Sequence, residues 1–111
     1  MDGNNLNVGI VGLGTVGLSA IKMIEDNSNI IYQKTGKKIN IIGISARDRK
    51  KDRGLSLDQY QWFDNPVEML NLKHLDVLIE LVGGSEGIAL EIINKAFQLN
   101  CHVVTANKAL V

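Results

Sequence analysis

Apolar runs alternate with amphipathic stretches along the whole chain, and this alternation is the first guide to the fold. Short apolar runs at residues 6–11, 39–45, 76–82 and 102–105 predict four buried β-strands. Residues 15–31 and 86–99 carry apolar side chains at helical spacing and predict two amphipathic helices. Alternating strands and helices are typical of a parallel sheet covered by helices, so we predict an α/β fold built on a doubly wound parallel sheet, with residues 1–111 forming one domain.

Polar residues, glycine and proline mark the ends of the predicted helices. Gly36 and its basic neighbours close the first helix, and Asp64 with Pro66 starts a short helix at residues 67–70. Ser85 is placed to cap the helix at residues 86–99. We place the first strand centrally, the second on one side, and the third and fourth on the other. This arrangement puts a topological switch point at the end of the first strand, where ligands of open α/β sheets bind.

Composition and charge exclude several classes of partner. The 12 basic and 12 acidic residues give zero formal net charge, so no global field favours nucleic acid or an anionic membrane. No apolar run approaches the ~18 residues of a membrane-spanning helix, and the polar start of the chain lacks a signal peptide's basic region. The single cysteine, Cys101, excludes an internal disulfide and is interpreted as a small core residue. We therefore expect a cytoplasmic protein without nucleic acid or membrane partners.

A glycine-rich turn carries the strongest chemical signal. Residues 12–17, with glycines at Gly12, Gly14 and Gly17, match G-x-G-x-x-G between a predicted strand and a predicted helix. Gly12 permits the tight turn, Gly14 lets a pyrophosphate approach the backbone, and Gly17 lets helix and strand pack closely. The amides and positive end of the helix then face the anion. This context predicts a Rossmann-type dinucleotide site, and the alternative is a glycine-rich turn without a ligand.

The end of the second strand bears on cofactor choice. Sites that prefer NAD usually carry a carboxylate there, whereas five of the seven residues from Arg47 to Arg53 are basic. The guanidinium of Arg47 matches the geometry of a 2′-phosphate, which favours NADP over NAD. A solvated basic loop is the alternative, and Asp48 leaves a ribose contact open.

Polar and glycine residues also follow the third and fourth strands. Gly83 and Gly84 allow close approach to a nicotinamide ribose and Ser85 offers a hydroxyl. A plain strand-to-helix turn capped by Ser85 is the alternative, and it is compatible with the binding role. Lys108 follows the fourth strand and either holds a carbonyl or carboxylate or is a surface lysine. Glu80 lies within an apolar strand and needs a partner or an exposed position, so it is not assigned to catalysis.

Two other features receive structural interpretations. His74 and His102 are far apart and lack acidic or cysteine partners at ligand spacing, so no metal site is expected. The aromatic segment at residues 60–63 is interpreted as a hydrophobic patch that pins the long loop, with a stacking platform as the alternative.

Taken together in order and spacing, these segments resemble homoserine dehydrogenase. The resemblance covers the whole chain and rests on residues 8–17 (VGIVGLGTVG), Arg47 with Asp48, residues 80–85 (ELVGGS) and residues 102–110 (HVVTANKAL). It implies NAD(P)H-dependent interconversion of aspartate 4-semialdehyde and homoserine, on the route to threonine and methionine. One departure is Gly87, which stands where the family often has proline.

The resemblance also implies roles for individual residues. Leu13, Thr15 and Val16 would contact the cofactor diphosphate, and Arg47 would approach the adenosine ribose or its phosphate. The nicotinamide side would be lined by Gly83, Gly84 and Ser85, with Lys108 near both nicotinamide and substrate.

In homoserine dehydrogenases, a catalytic half follows the region that this chain resembles. It supplies substrate-binding carboxylates, a second lysine, a monovalent-cation site and the dimer interface. The resemblance therefore implies a homo-oligomer assembled through that half, and we expect the present chain alone to be inactive because it cannot orient both reactants. A non-catalytic dinucleotide-sensing module and the cofactor half of a related amino-acid dehydrogenase are the alternative functions.

Overall fold

The computed structural model describes residues 5–47, 54, 56–82 and 88–105 of the chain. Within these ranges four strands form one sheet: β1 (Asn5–Val11), β2 (Lys38–Ser45), β3 (Val77–Glu80) and β4 (His102–Thr105). Their order is β2-β1-β3-β4, and each neighbouring pair is parallel. The predicted class and strand order are therefore confirmed.

Helices cover both faces of the sheet: α1 (Thr15–Asp26), α2 (Ser28–Thr35), α3 (Pro66–Met69) and α4 (Ile88–Gln98). Side chains alternate between the two faces, so that Ile10 packs with Ile21 of α1 while Val11 packs with Ile92 of α4. The inner strands β1 and β3 are thus covered on both sides, as expected for a doubly wound parallel sheet, whereas the side chains of His102 and Val104 on the outer strand β4 are exposed.

The helix predicted at residues 15–31 is two helices that meet at Asn27. The backbone amide of Asn27 donates to the Met23 carbonyl at 3.1 Å, and its side-chain amide donates to the same oxygen at 2.8 Å. Asparagine side chains compete in this way for backbone partners and are poor helix formers for that reason. The chain then continues in α2, which ends at Gly36 in the left-handed conformation (φ 72°), as its glycine predicts.

The short helix α3 begins at Pro66, one residue before the predicted range of 67–70. Asn65, not Asp64, caps it, because the Asn65 side chain accepts from the Val67 amide at 3.0 Å. The Asp64 carboxylate instead accepts from the indole Nε1 of Trp62 at 2.9 Å. Beyond the cap, α3 places the buried Met69 directly above Gly9 and Gly43, where a Cβ on either glycine would contact the Met69 side chain.

The aromatic segment pins the long connection that follows β2. The Ile44 amide donates to Gln61 at 2.9 Å and the Phe63 amide donates to Ile44 at 2.9 Å, so this segment lies parallel to the end of β2. Trp62 packs against the core on the α1 side, whereas Phe63 packs against the core on the α4 side. The predicted anchoring patch at residues 60–63 is therefore confirmed.

Cys101 is a buried member of the core between the sheet and α4, as predicted. Its thiol donates to the His102 carbonyl at 3.5 Å. Burial raises the pKa of the Cys101 thiol, a backbone hydrogen bond at Leu78 opposes the rise, and the Asp76 carboxylate adds to it. The neutral thiol is therefore the form that the folded chain accommodates.

This burial predicts a pH dependence of stability. Because the folded-state pKa is raised, the Cys101 contribution is complete below the unfolded-chain pKa of about 8.5 and is lost as pH rises through the folded value. The free energy of unfolding should fall more steeply above about pH 8.5 in the wild type than in Cys101→Ala. Urea denaturation of both proteins across this range measures the two slopes, and equal slopes would contradict the assignment.

Candidate functional site

The carboxyl end of β1 lies between the carboxyl ends of β2 and β3. Val11 is in register with Ser45 of β2 on one side and with Glu80 of β3 on the other. Just beyond it, the Gly12 amide donates to the Ser45 carbonyl at 2.8 Å, and the Leu81 amide donates to the Val11 carbonyl at 2.8 Å. The chain leaves β1 toward β2 while β3 lies on the opposite side, so the predicted switch point is present.

Two close backbone approaches shape the turn after β1. Gly12 has φ 97°, a conformation that favours glycine, and a Cβ there would lie 2.9 Å from the Leu81 carbonyl carbon and 3.0 Å from the Val82 nitrogen. Gly17, in the first turn of α1, faces the carbonyl oxygen of Gly12 so closely that a Cβ would overlap it. Both glycines therefore have the packing roles that the motif predicts.

Gly14 faces the opposite situation, because its outer side is open. A Cβ on Gly14 would meet no atom within 4 Å. Gly14 is also the N-cap of α1, where no side chain caps the helix and no acidic residue lies in the first turn. The first amides of a helix have no acceptor within that helix, and the helix dipole makes this end positive. The turn at residues 12–17 therefore has the open space and the positive helix end that an anion site requires, and we refer to it as the cradle.

Three non-glycine residues of the turn have distinct environments. The Leu13 side chain is buried in the core beside α1, so only the Leu13 backbone can face the cradle. Val16 is 61% exposed next to the cradle, where a ligand would cover apolar surface. Thr15 begins α1.

Arg47 lies at the same edge of the sheet as the cradle. It follows β2 by two residues and its side chain is exposed. Ser45, at the end of β2, is bonded to the glycine turn through its carbonyl. Arg47 therefore follows the strand next to the cradle, on the side predicted to receive the adenosine part of a dinucleotide.

Comparison with known proteins agrees with this geometry. The family model for "Homoserine dehydrogenase, NAD binding domain" matches residues 12–111. The chain belongs to the homoserine dehydrogenase NAD-binding domain family. It is 37% identical over 106 residues to homoserine dehydrogenase of Neisseria gonorrhoeae and 39% identical over 111 residues to that of Pseudomonas aeruginosa. Each match covers 96% of this chain and 24% of the relative, so the chain spans about a quarter of the relatives' length.

Solved structures of the family superpose closely on the chain. The crystal structure of Staphylococcus aureus homoserine dehydrogenase at pH 7.0 matches with a TM-score of 0.88 and 38% identity, over 96% of this chain and 27% of that one. The enzyme from Thiobacillus denitrificans matches with a TM-score of 0.86 and 33% identity, over 96% of this chain and 24% of that one. The Rossmann-type fold of this family is therefore the fold of the present chain.

Several site residues predicted from the sequence lie outside the described residues. Gly83, Gly84 and Ser85 follow Val82, where the description of the β3 end stops. Lys108 follows Thr105 by three residues, and Asp48 follows Arg47 directly. The roles assigned to these five residues therefore stay predictions.

The structure also shows site contacts that sequence reasoning missed. The Ser45 carbonyl and the Leu81–Val82 peptide form two walls of the glycine turn, although neither belongs to a motif. The partners of Glu80 were likewise unidentified: its carboxylate accepts from the Val82 amide at 2.6 Å and from the Thr105 hydroxyl at 2.7 Å. The Val82 bond also explains why β3 ends at Glu80 rather than at the predicted residue 82, because that amide turns to a side chain.

In the described part of the chain, no three or more His, Cys, Asp or Glu side chains come together as a metal ion would require. No helix within these residues has both the length and the apolar character needed to cross a membrane.

The contrast between Gly17 and Gly14 gives a testable prediction. Gly17→Ala should lower the free energy of unfolding by about 2 kcal/mol or more, because the added methyl group overlaps the Gly12 carbonyl. Gly14→Ala is the matched control. It should lower stability by no more than about 1 kcal/mol, because Gly14 has φ −74° and open space around it, and the remaining cost is that alanine is a poorer N-cap than glycine. Urea denaturation compares the two variants, and equal losses would contradict the packing described.

Proposed function

We propose that this chain binds a nicotinamide dinucleotide, with the pyrophosphate on the cradle at residues 12–17. The observation that carries the proposal is the open space above Gly14 at an uncapped helix start. Glycine at this position leaves room for a phosphate to reach the backbone amides, and a side chain would fill that room. The nicotinamide ring of such a cofactor supplies or accepts the hydride.

The proposed cofactor preference is NADP over NAD. Arg47 is exposed at the end of β2, on the side of the switch point where the adenosine ribose of a dinucleotide lies. A guanidinium pairs bidentately with a phosphate but gains little from a 2′-hydroxyl. Arg47 is therefore proposed to bind the 2′-phosphate of NADP.

For the protein of which this chain supplies the cofactor part, we propose the family's reaction, the interconversion of aspartate 4-semialdehyde and homoserine in threonine and methionine biosynthesis. Gly83, Gly84 and Ser85 would line the nicotinamide side, and Lys108 would lie near nicotinamide and substrate. Since the matched relatives are about four times as long, the 111 residues alone are expected to lack turnover. Assembly into a homo-oligomer is proposed to involve the part of the relatives that this chain does not span.

Dinucleotide binding can be measured through the single tryptophan. Titration with NADPH should give saturable energy transfer from Trp62 to the reduced nicotinamide. Gly14→Ala should raise the dissociation constants for NADPH and NADH at least about tenfold, since its methyl group occupies the phosphate position. Absence of saturable transfer in the wild type, or undiminished binding by Gly14→Ala, would overturn the proposal.

The cofactor preference has its own test. Arg47→Ala should raise the NADPH dissociation constant about tenfold or more, because a charge-assisted phosphate contact is lost, and should change the NADH constant by less than about threefold. Lys73→Ala is the matched control, since Lys73 is an exposed cation in the turn that precedes β3, at the opposite edge of the sheet. It should change neither constant. Equal losses for both cofactors in Arg47→Ala would refute the phosphate contact.

A further inference from the structure

Glu80 is a fully buried acidic residue at the end of β3, with no exposed side-chain surface. Burying a carboxyl group without partners is costly, so its contacts indicate what it does. One carboxylate oxygen, Oε2, accepts from the Val82 amide at 2.6 Å, and the other, Oε1, accepts from the Thr105 hydroxyl at 2.7 Å. The side chain therefore joins two separate segments of the chain.

The first contact reaches the glycine turn. The Val82 amide belongs to the Leu81–Val82 peptide, the same peptide that limits the space beside Gly12. The Leu81 amide is itself bonded to the Val11 carbonyl at 2.8 Å. Glu80 thus fixes the orientation of the peptide wall against which the first residue of the anion cradle packs.

The second contact reaches across to the next strand. Glu80 and Thr105 are register partners in the parallel pairing of β3 and β4, and each is the last residue of its strand. Val11 is in register with Glu80 on the other side. The Glu80 side chain therefore joins the ends of β3 and β4, and the backbone pairing of β3 joins them to the end of β1.

We propose that Glu80 is a positioning residue for the dinucleotide site, acting by spanning Val82 and Thr105 rather than by its charge. The proposal rests on the dinucleotide-binding function given above. Glu80 acts through the Leu81–Val82 peptide on Gly12, and it is not a catalytic residue because both oxygens are engaged within the fold.

Two substitutions test separately whether Glu80 acts by reaching both partners or by its negative charge. In Glu80→Gln the amide oxygen can accept from Val82 and the amide nitrogen can donate to the Thr105 oxygen, so the span survives without the charge. Glu80→Asp keeps the charge but is one methylene shorter and cannot reach both partners. We expect the NADPH dissociation constant of Glu80→Gln to stay within about threefold of the wild type, and that of Glu80→Asp to rise about tenfold.

A core variant controls for lost stability. Leu70→Ala removes a buried side chain that lies with Leu75 and Cys101 before β3 and β4, at the opposite end of these strands from Glu80. It lowers stability, but its NADPH affinity should equal that of the wild type. Amide NMR spectra add a readout that needs no cofactor: the Gly12 resonance should move in Glu80→Asp and stay in place in Glu80→Gln and Leu70→Ala.

The possible results have separate meanings. Weaker binding by Glu80→Gln than by Glu80→Asp would show that charge matters and would overturn the proposal, as would wild-type affinity in Glu80→Asp. If the wild type bound no dinucleotide, the proposed function would fail. The Gly12 resonance would then still test whether Glu80 positions the turn, and an unchanged Gly12 resonance in Glu80→Asp would overturn that as well.

Discussion

The candidate site depends on how closely the first turn of α1 approaches the end of β1. Gly17 faces the carbonyl oxygen of Gly12 with no room for a side chain between them. Any larger residue would push the helix away from the strand, and the amides at the helix start would move with it. The same lack of side chains that lets helix and strand pack also leaves the Gly14 amide region open to an anion. The close packing of α1 on β1 and the open space for an anion therefore both follow from the lack of side chains at these glycines.

A turn made largely of glycine buries little apolar surface, so its position must be fixed from elsewhere. The Leu13 side chain anchors the turn, because it lies in the core between the sheet and α1. On the other face, Met69 fills the space above Gly9 and Gly43 and joins the α4 side of the core to the strands. The two apolar layers thus supply the stability that the turn itself lacks, and the sheet edge is free to remain polar.

Hydrophobic periodicity and turn chemistry were sufficient to predict the four strands and the glycine turn, because each depends on neighbours within a few residues. The strand order followed from the rules for crossovers between parallel strands. The failures have a different origin. The break at Asn27 and the cap at Asn65 were missed because several polar residues near each position offer similar local chemistry, and the sequence does not show which side chain bonds to the backbone. The partners of Glu80 depend on the register between strands 25 residues apart, which no local pattern contains.

Glu80 also shows why the edge of a parallel sheet needs polar support. At the end of a strand the backbone amides leave the hydrogen-bond ladder, and those that remain buried require other acceptors. Apolar side chains could cover this edge, but they would also close the crevice in which a ligand must lie. The buried Glu80 carboxylate supplies the missing acceptor, because it accepts from Val82 and Thr105 within the fold. It also leaves the surface above the glycine turn unobstructed. The apolar sequence around Glu80 requires that its carboxylate have a partner. The register of β3 and β4 places that partner, Thr105, beside Glu80 at the end of the sheet where the candidate site lies.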